Sequence, residues 1–321
     1  MLKATSISAK LYKCKNIDEI LRNVNPKLTS VFDLTLALKI IANHVMENGR
    51  LEKPQEIVNL HKHVQTQFHI LKSNEIANII YFIRTIKDFN IRDLDLTLTE
   101  QNLKKIKDIM GNRSISSSII AGIYHDLNCL KLNCLECDKI MLRMLEDYNT
   151  PINFISIKVI LYSLIERISP EISDILIHCY RRLENYYFTP ALHKEIIGLI
   201  KIILRIELSL SVCPESLFNK ISDFLQNQPL KTSDYETVFG IFALSPFPNV
   251  ILSTLNKKFI RSIQDTPHII TLKILNDYLG ILKNIPDVQE SEKQIALDFQ
   301  KKLTENFSSL DTNKMKNNSD K

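Results

Sequence analysis

The sequence predicts an all-α protein built as a right-handed α-solenoid of about seven antiparallel helix pairs. Apolar stripes of helical length recur in pairs about every 35 to 44 residues from Ser30 to Phe307. Within each stripe the apolar residues are three to four positions apart, which is the spacing of a helix face and not of a strand. Residues suited to capping a helix N terminus stand near the start of each pair, at Ser30, Ser73, Ser116, Asn153, Thr189, Ser233 and Thr266.

The pairs can be followed in order along the chain. They cover residues 30–48 with 53–71, 73–86 with 96–112, 116–130 with 134–148, 154–168 with 170–187, 190–207 with 214–228, 233–244 with 249–264, and 267–282 with 289–307. In the first pair, apolar residues repeat at helical spacing over 34–45, Gly49 provides the turn, and Pro54 suits the first turn of the second helix. In the second pair, Thr97 or Thr99 caps the second helix.

The later pairs follow the same rhythm with different boundary residues. Pro190 and Pro214 open the two helices of the fifth pair, where the missing N–H of proline costs nothing. The two helices of the sixth pair are separated by residues 245–248, SPFP, whose prolines end the preceding helix. The last helix is more polar than the others, as the capping repeat of an array requires.

Three segments make up the predicted domain organisation. Residues 1–25 form a basic N-terminal segment, and the first fifteen residues contain four lysines and no acid, a pattern typical of a short organellar presequence and equally of an ordinary basic N terminus. Residues 26–307 form the helical-repeat solenoid. Residues 308–321 are expected to be a disordered polar tail because they lack the apolar content that ordering requires. We expect a mitochondrial location, or otherwise a cytoplasmic one.

Composition excludes several functional classes. The chain has 321 residues, of which 45% are hydrophobic and 24% charged, with a net charge of +5. None of its six glycines lies in a dinucleotide-binding or phosphate-loop motif. The most apolar stretch, residues 196–210, is interrupted by Lys201, Arg205 and Glu207, so we expect no membrane span. The six cysteines are dispersed, which favours a reducing compartment. We expect no enzymatic activity, no cofactor and no small-molecule substrate.

One local cluster has the residue types of a metal site. His125, Cys129, Cys134 and Cys137 have donors and spacings that can hold tetrahedral zinc, and the three cysteines also match a spacing used for iron–sulfur clusters. The alternative is that these residues pack between helices, since cysteine is a good small core residue. We favour the packing interpretation and therefore expect no metal.

A second set of residues has the chemistry of nucleic-acid binding. Lys194, Lys201 and Arg205 lie on one stripe of a helix, and stacked repeats can align them with Lys158 and Lys273 into a row that neutralises phosphates. Side chains that can bond to bases or stack on them are Asn78, Ser117 and Tyr162. The second helices also carry many cations, so the alternative is a lysine-rich solvated exterior.

The segments SNEIANIIYFIRTI, SSSIIAGIYHDL and FISIKVILYSLIERI, each followed by a shorter amphipathic helix, resemble the heptatricopeptide-like arrays of the FAST-kinase-domain and RAP protein family. The resemblance covers about residues 26–286 as a rhythm of apolar positions. It implies binding of single-stranded RNA in mitochondria, or a place in a mitochondrial ribosome or RNA-processing complex. No RAP domain is recognisable, so the nuclease-like activity associated with that domain is not expected.

These observations lead to two hypotheses. The first is an organellar RNA-binding helical-repeat protein that acts in RNA processing, stability or ribosome assembly. Such a protein holds a single strand of RNA, alone or within a ribonucleoprotein complex, and catalyses no reaction itself. The second is an armadillo-like or HEAT-like scaffold, or a structural subunit of a larger complex, whose surface receives protein partners.

Overall fold

The computed structural model of the protein describes residues 6–89, 96–132, 135–165, 167, 172–210, 214–242, 250–282, 285 and 288–319. All regular secondary structure in these ranges is helical and they contain no strand. The all-α prediction is therefore confirmed. The chain divides into two compact units, Met1–Cys179 (unit 1) and Tyr180–Lys321 (unit 2).

Sixteen α-helices lie in the described ranges. Unit 1 contains α1 (Ile7–Leu11), α2 (Ile17–Asn23), α3 (Val31–Asn48), α4 (Pro54–Thr66), α5 (Ser73–Ile86), α6 (Glu100–Met110), α7 (Ser117–Cys129), α8 (Leu135–Glu146) and α9 (Phe154–Leu164). The boundary between the units falls within α10 (Ser173–Glu184). Unit 2 continues with α11 (His193–Leu210), α12 (Glu215–Gln226), α13 (Thr232–Phe242), α14 (Val250–Asp265), α15 (Leu272–Ile281) and α16 (Glu290–Ser319).

The helices α3 to α16 match the fourteen segments expected from the apolar stripes, and several predicted capping residues are confirmed. The Ser30 hydroxyl accepts a hydrogen bond from the Asp33 N–H at 3.2 Å, and the Asn153 side chain accepts one from the Ser156 N–H at 2.8 Å. Ser116 caps α7 in the same manner. These bonds satisfy backbone donors that a helix start otherwise leaves unpaired.

Other helix starts differ from the predicted caps. The N-cap of α5 is Lys72, whose N–H donates a hydrogen bond to the Glu75 carboxylate. Ser73, the predicted cap, is the first residue of the helix. Short 3-10 turns at Pro190–Leu192 and Pro267–Ile269 follow Thr189 and Thr266. The cap of α15 is therefore Thr271, and α13 begins one residue before Ser233. A proline supports a turn start as well as a helix start, so the sequence does not separate the two.

Gly49 ends α3 as predicted. Its φ of 67° lies in the left-handed region, and its N–H donates to the Val45 carbonyl at 2.9 Å. Glycine adopts this conformation without steric cost, which explains why the chain reverses direction here. Pro54 is the first residue of α4, also as predicted.

Packing in unit 1 follows alternate helices. The first helices of successive pairs, α3, α5, α7 and α9, pack side by side in sequence order, and the second helices α6 and α8 also contact each other. The isoleucines at the contact, among them Ile79, Ile83 and Ile157, are fully or almost fully buried. Unit 2 repeats this arrangement, because α11 packs on α13 and α13 on α15, while α12 packs on α14 and α14 on α16.

A buried polar network joins three elements of unit 1. The Arg167 guanidinium, just beyond α9, donates two hydrogen bonds of 2.8 Å to the two Asp138 oxygens on α8 and one of 2.9 Å to Asn128 on α7. The Tyr124 hydroxyl donates to Asp138 at 2.8 Å. Burial, followed by the Asp138 charge, raises the pKa of Tyr124. The bidentate geometry fixes the C-terminal end of α9 relative to α7 and α8.

The terminal segments contain structure that the sequence did not predict. Within the predicted basic segment 1–25, α1 and α2 pack against α3 and bury Leu11, Ile17 and Ile20. At the other end, α16 continues to Ser319 and so runs into the predicted disordered tail 308–321. The residues of this extension, 308–319, include two lysines and no glutamate or glutamine and are mostly serine, asparagine, threonine and aspartate, so intrinsic helix propensity does not explain it.

Candidate nucleic-acid interface

A row of polar and aromatic side chains crosses the first helices of unit 1. We call it the aromatic row and define it as Asn43 and Met46 on α3, Tyr81 and Arg84 on α5, His125 on α7 and Tyr162 on α9. The helices pack side by side, and contacts between side chains connect the members from one of these helices to the next. The row therefore extends across the first helices of four successive pairs.

Direct contacts connect the members at the α3 end of the row. The Tyr81 hydroxyl donates to the Asn43 side-chain oxygen at 2.8 Å and lies 3.4 Å from the Met46 sulfur. The Arg84 guanidinium carbon lies 5.0 Å from the centre of the Tyr81 ring, within the range of a cation–π interaction. Met46 is 60% exposed, so this end of the row has an accessible, polarisable surface.

The contacts continue from α5 to α9. Arg84 Nη1 lies 3.4 Å from His125 Nε2, and the His125 and Tyr162 rings are tilted against each other with centroids 5.5 Å apart. Because the guanidinium can only donate, Nε2 must accept, which assigns the ring proton to Nδ1. Tyr162 is 51% exposed and offers the most accessible ring of the row.

The electrostatics of the row centre on Arg84. Its Nε lies 2.9 Å from Asp126 Oδ1, but the N–H does not point at that oxygen, so the contact is an ion pair without an aligned hydrogen bond. Burial raises the pKa of Asp126 to about 7, although Arg84 and Lys39 act in the opposite direction. Burial and the Arg84 charge lower the pKa of His125 to about 4. At neutral pH, His125 is therefore an uncharged aromatic ring, and the Asp126 carboxyl titrates well above its usual range.

The residues predicted to contact bases have different environments. Tyr162 lies in the aromatic row, and Lys158 is half-buried one turn earlier on α9. Asn78 is only 8% exposed, on the side of α5 that faces the core. Ser117 is buried as well and donates to the Pro151 carbonyl at 3.0 Å. Asn78 and Ser117 are not accessible to a base in this structure.

The predicted lysine stripe lies on α11 in unit 2. Lys194, Lys201 and Arg205 are exposed there, and Lys273 is exposed on α15. Between them, α13 packs against both helices and carries Asp234 and Glu236 but no lysine or arginine. The predicted row of cations is therefore interrupted at α13, between α11 and α15. Lys158, which was also predicted to belong to this row, lies in unit 1.

Several second-helix lysines cap the ends of neighbouring helices. The Lys220 ammonium on α12 donates to the Glu184 carbonyl at 2.5 Å and also to that of Tyr186, at the end of α10. Lys258 on α14 donates to the Gln228 carbonyl at 2.8 Å, after the end of α12, and Lys105 on α6 bonds to the carbonyl of His69, beyond α4. A cation at a helix C terminus satisfies free carbonyls and offsets the helix dipole. These three lysines thus have a structural role.

The metal-candidate residues are only partly described. Cys129 Sγ lies 3.7 Å from His125 Nε2, one turn apart on α7, and Cys137 is buried on α8. Cys134 lies outside the described residues. The described ranges contain no group of three or more His, Cys, Asp or Glu side chains placed to hold a metal ion.

Comparison with known proteins does not assign the chain to a family. Neither the protein-family models nor the curated proteins compared with the chain include a match. Within the described residues, no helix combines the length and the apolar character needed to cross a membrane.

Four members of the row were not predicted from the sequence, namely Asn43, Met46, Tyr81 and Arg84, and His125 was named only as a metal candidate. For Tyr81 the signal was present, since Ile80-Tyr81 and Leu161-Tyr162 occur within two of the segments that carry the repeat rhythm. The same pattern, an aliphatic residue followed by tyrosine, also occurs at Ile123-Tyr124, where the tyrosine is buried. The pattern therefore does not distinguish an accessible tyrosine from a buried one.

Proposed function

We propose that the protein binds single-stranded RNA as a helical-repeat protein and that the aromatic row of unit 1 is the main contact surface. One observation carries the proposal: a continuous line of flat side chains crosses the first helices of three successive pairs, and it consists of Tyr81, Arg84, His125 and Tyr162. Unpaired bases stack on aromatic rings and guanidinium planes, whatever their sequence. A neutral His125 suits this role because it presents a ring without a charge.

Charge adds to stacking at this surface. Arg84 lies within the row, Lys158 lies one turn from Tyr162, and Lys39 is exposed on α3. These cations can neutralise phosphates next to the stacked bases, whereas the helix-capping lysines cannot be released without cost. In this proposal the helix pairs within each unit stack as in a right-handed α-solenoid, and the strand runs along the first helices of unit 1. The α11 stripe of Lys194, Lys201 and Arg205 makes a secondary phosphate contact in unit 2. A mitochondrial location, and a role in RNA processing or ribosome assembly, are part of the same proposal and rest on the N-terminal sequence and the family resemblance.

The test compares the affinity of an unstructured single-stranded RNA for the full chain and its variants by fluorescence anisotropy. Tyr162→Ala should weaken binding by about 5- to 150-fold, which corresponds to the loss of one stacked base. Tyr162→Phe keeps the ring and should bind as the parent does. The matched control is Tyr187→Ala, because Tyr187 is 82% exposed but lies in unit 2, outside the row.

The secondary contact is tested separately. Replacing Lys194, Lys201 and Arg205 together with alanine should reduce the slope of log affinity against log salt, by about 0.7 for each phosphate that is no longer neutralised. The absence of RNA binding at low salt, or equal affinity for the Tyr162→Ala and Tyr187→Ala variants, would refute the proposal.

A protein partner is the second candidate function, favoured by the exposed apolar side chains of the same helices. Phe32 on α3 and Ile155 on α9 are 43% and 45% exposed. Tyrosine, arginine and methionine are also enriched at protein interfaces. Binding that depends on Phe32 and Ile155 and is insensitive to salt would favour this function over RNA.

A further inference from the structure

Unit 2 contains a cleft that is separate from the aromatic row. It lies between α12 and α14 and has a volume of about 490 Å³. Its α12 wall presents Asn219, Asp223 and Gln226, and its α14 wall presents Lys257, Lys258 and Arg261. A volume of this size falls in the range of roughly 300 to 1,000 Å³ that small-molecule sites occupy.

The charge in the cleft is unbalanced. Of its described lining residues, three are cations and Asp223 is the one carboxylate. Lys257 and Arg261 lie one turn apart on α14 and are exposed, so they repel each other mildly as like charges at this spacing. A positive concave surface concentrates the field at its centre, which favours an anionic ligand.

The third cation has a different function. Lys258 is held by its hydrogen bond to the Gln228 carbonyl, and both burial and the nearby Arg261 charge lower the pKa of Lys258. It therefore orients the α14 wall, while Lys257 and Arg261 remain directed to the cleft. Where the walls meet, the Ser222 and Thr254 hydroxyls bond to each other at 2.5 Å.

The lining also indicates the type of anion. The described lining residues include no aromatic side chain, so the cleft offers a base no ring to stack on. It offers instead ammonium, guanidinium and amide groups, which donate hydrogen bonds to phosphate oxygens. The guanidinium can bind two oxygens of one phosphate at once.

We propose that this cleft binds a small phosphate-bearing anion, held by Lys257 and Arg261 on one wall and by the amides of Asn219 and Gln226 on the other. Asp223 limits how much negative charge the site tolerates. The ligand differs from the proposed RNA both in size and in location, and the two proposals do not depend on each other.

Titration calorimetry of the full chain with inorganic pyrophosphate at low ionic strength tests the proposal. The double variant Lys257→Gln, Arg261→Gln should weaken pyrophosphate binding at least about tenfold, because each substitution removes a charge-assisted hydrogen bond. The matched control is Lys194→Gln, Arg205→Gln, which removes the same charge from α11 in the same unit and should change the affinity less than about twofold. Asp223→Asn should strengthen binding, whereas Glu236→Gln on α13 should not.

Three results would overturn the proposal: no detectable pyrophosphate binding by the parent protein, equal weakening by the two double variants, or no gain for Asp223→Asn. Thermal unfolding followed by circular dichroism should be unchanged in the Lys257→Gln, Arg261→Gln variant because Lys258, which caps α12, is retained. The variant should also bind RNA as the parent does. If it loses RNA affinity and pyrophosphate fails to bind, the cleft belongs to the RNA surface and the present proposal is wrong.

Discussion

Replacement of Arg167 by methionine should strongly destabilise unit 1. The change removes two hydrogen bonds of 2.8 Å to Asp138 and one of 2.9 Å to Asn128. The Asp138 side chain is only 10% exposed, so its charge would remain almost without solvent compensation. Loss of one partner from a buried ion pair costs about 3 to 5 kcal/mol. Because the Arg167 side chain is 29% exposed and water can partly replace it, we expect the lower end, about 3 kcal/mol.

Hydrogen exchange measured by mass spectrometry can locate this loss. Peptides from α7 and α8 should lose protection by a factor of about 100, since 1.4 kcal/mol corresponds to a factor of ten. Peptides from α13 and α15 in unit 2 serve as an internal reference, and their exchange should not change. A spatially resolved method is preferable here because a chain with two units need not unfold in one step.

Two further variants separate charge from packing. Arg167→Lys keeps the charge but loses the bidentate geometry, so its loss of protection should be intermediate. Arg143→Met is the matched control, because Arg143 is exposed on α8 and its Nε donates to the Lys139 carbonyl of the same helix, at 3.2 Å. Equal protection in Arg167→Met and Arg143→Met would refute the reasoning that the network holds α9 against α7 and α8.

Three other predictions concern pH, helix capping and the N terminus. RNA affinity, measured by fluorescence anisotropy, should rise about two- to fivefold from pH 8 to pH 6. Asp126, whose pKa is about 7, becomes protonated over this range and leaves the Arg84 charge unopposed. The RNA affinity of the Asp126→Asn variant should not change with pH in this way. His125 does not contribute, since its pKa is about 4. Lys220→Met removes the hydrogen bond to the Glu184 carbonyl and should lower the free energy of unfolding, measured by urea denaturation, by about 1 to 2 kcal/mol. The control is Lys194→Met at an exposed position, which should leave the free energy of unfolding unchanged. Deletion of residues 1–25 should cost about 4 kcal/mol or more, seen as a lower Tm, because it uncovers the surface of α3 on which α1 and α2 pack; an unchanged Tm would contradict the packing of α1 and α2.

The helices were predictable because their apolar stripes are long and regular. The stripe of α3 needs no tertiary information, since Leu34, Leu38, Ile41 and Val45 recur at helical spacing and are all fully buried. The short helices α1 and α2 were not predictable in this way. They have five and seven residues, too few to show a period, and they exist because α3 gives Leu11 and Ile20 a surface to pack on.

The candidate site was less predictable than the fold because it depends on helical phase. One position along a helix turns a side chain by about 100°. Tyr124 and His125 are adjacent on α7, yet Tyr124 is fully buried against Asp138 and its neighbour His125 joins the row. A pattern of apolar positions defines the buried stripe but not its edges, where half-exposed residues such as Tyr81 and Arg84 lie. The pairing of Arg84 with Asp126 depends on the neighbouring helix, 42 positions further along the chain, and no local pattern contains it.

The lysines show why composition alone is a poor guide to a binding surface. A net charge of +5 suggests that the cations form an anion-binding surface, and the stripe on α11 is consistent with this interpretation. Yet Lys105, Lys220 and Lys258 each donate to a carbonyl at or just beyond the end of a neighbouring second helix. A cation at a helix C terminus satisfies free carbonyls, so each of these three lysines meets the need of a helix end. Lysine content thus follows partly from the number of helix ends, and a cation becomes evidence for a ligand only after its carbonyl partners have been identified. By that criterion Lys257 and Arg261 point to a ligand of unit 2, and Lys258 does not.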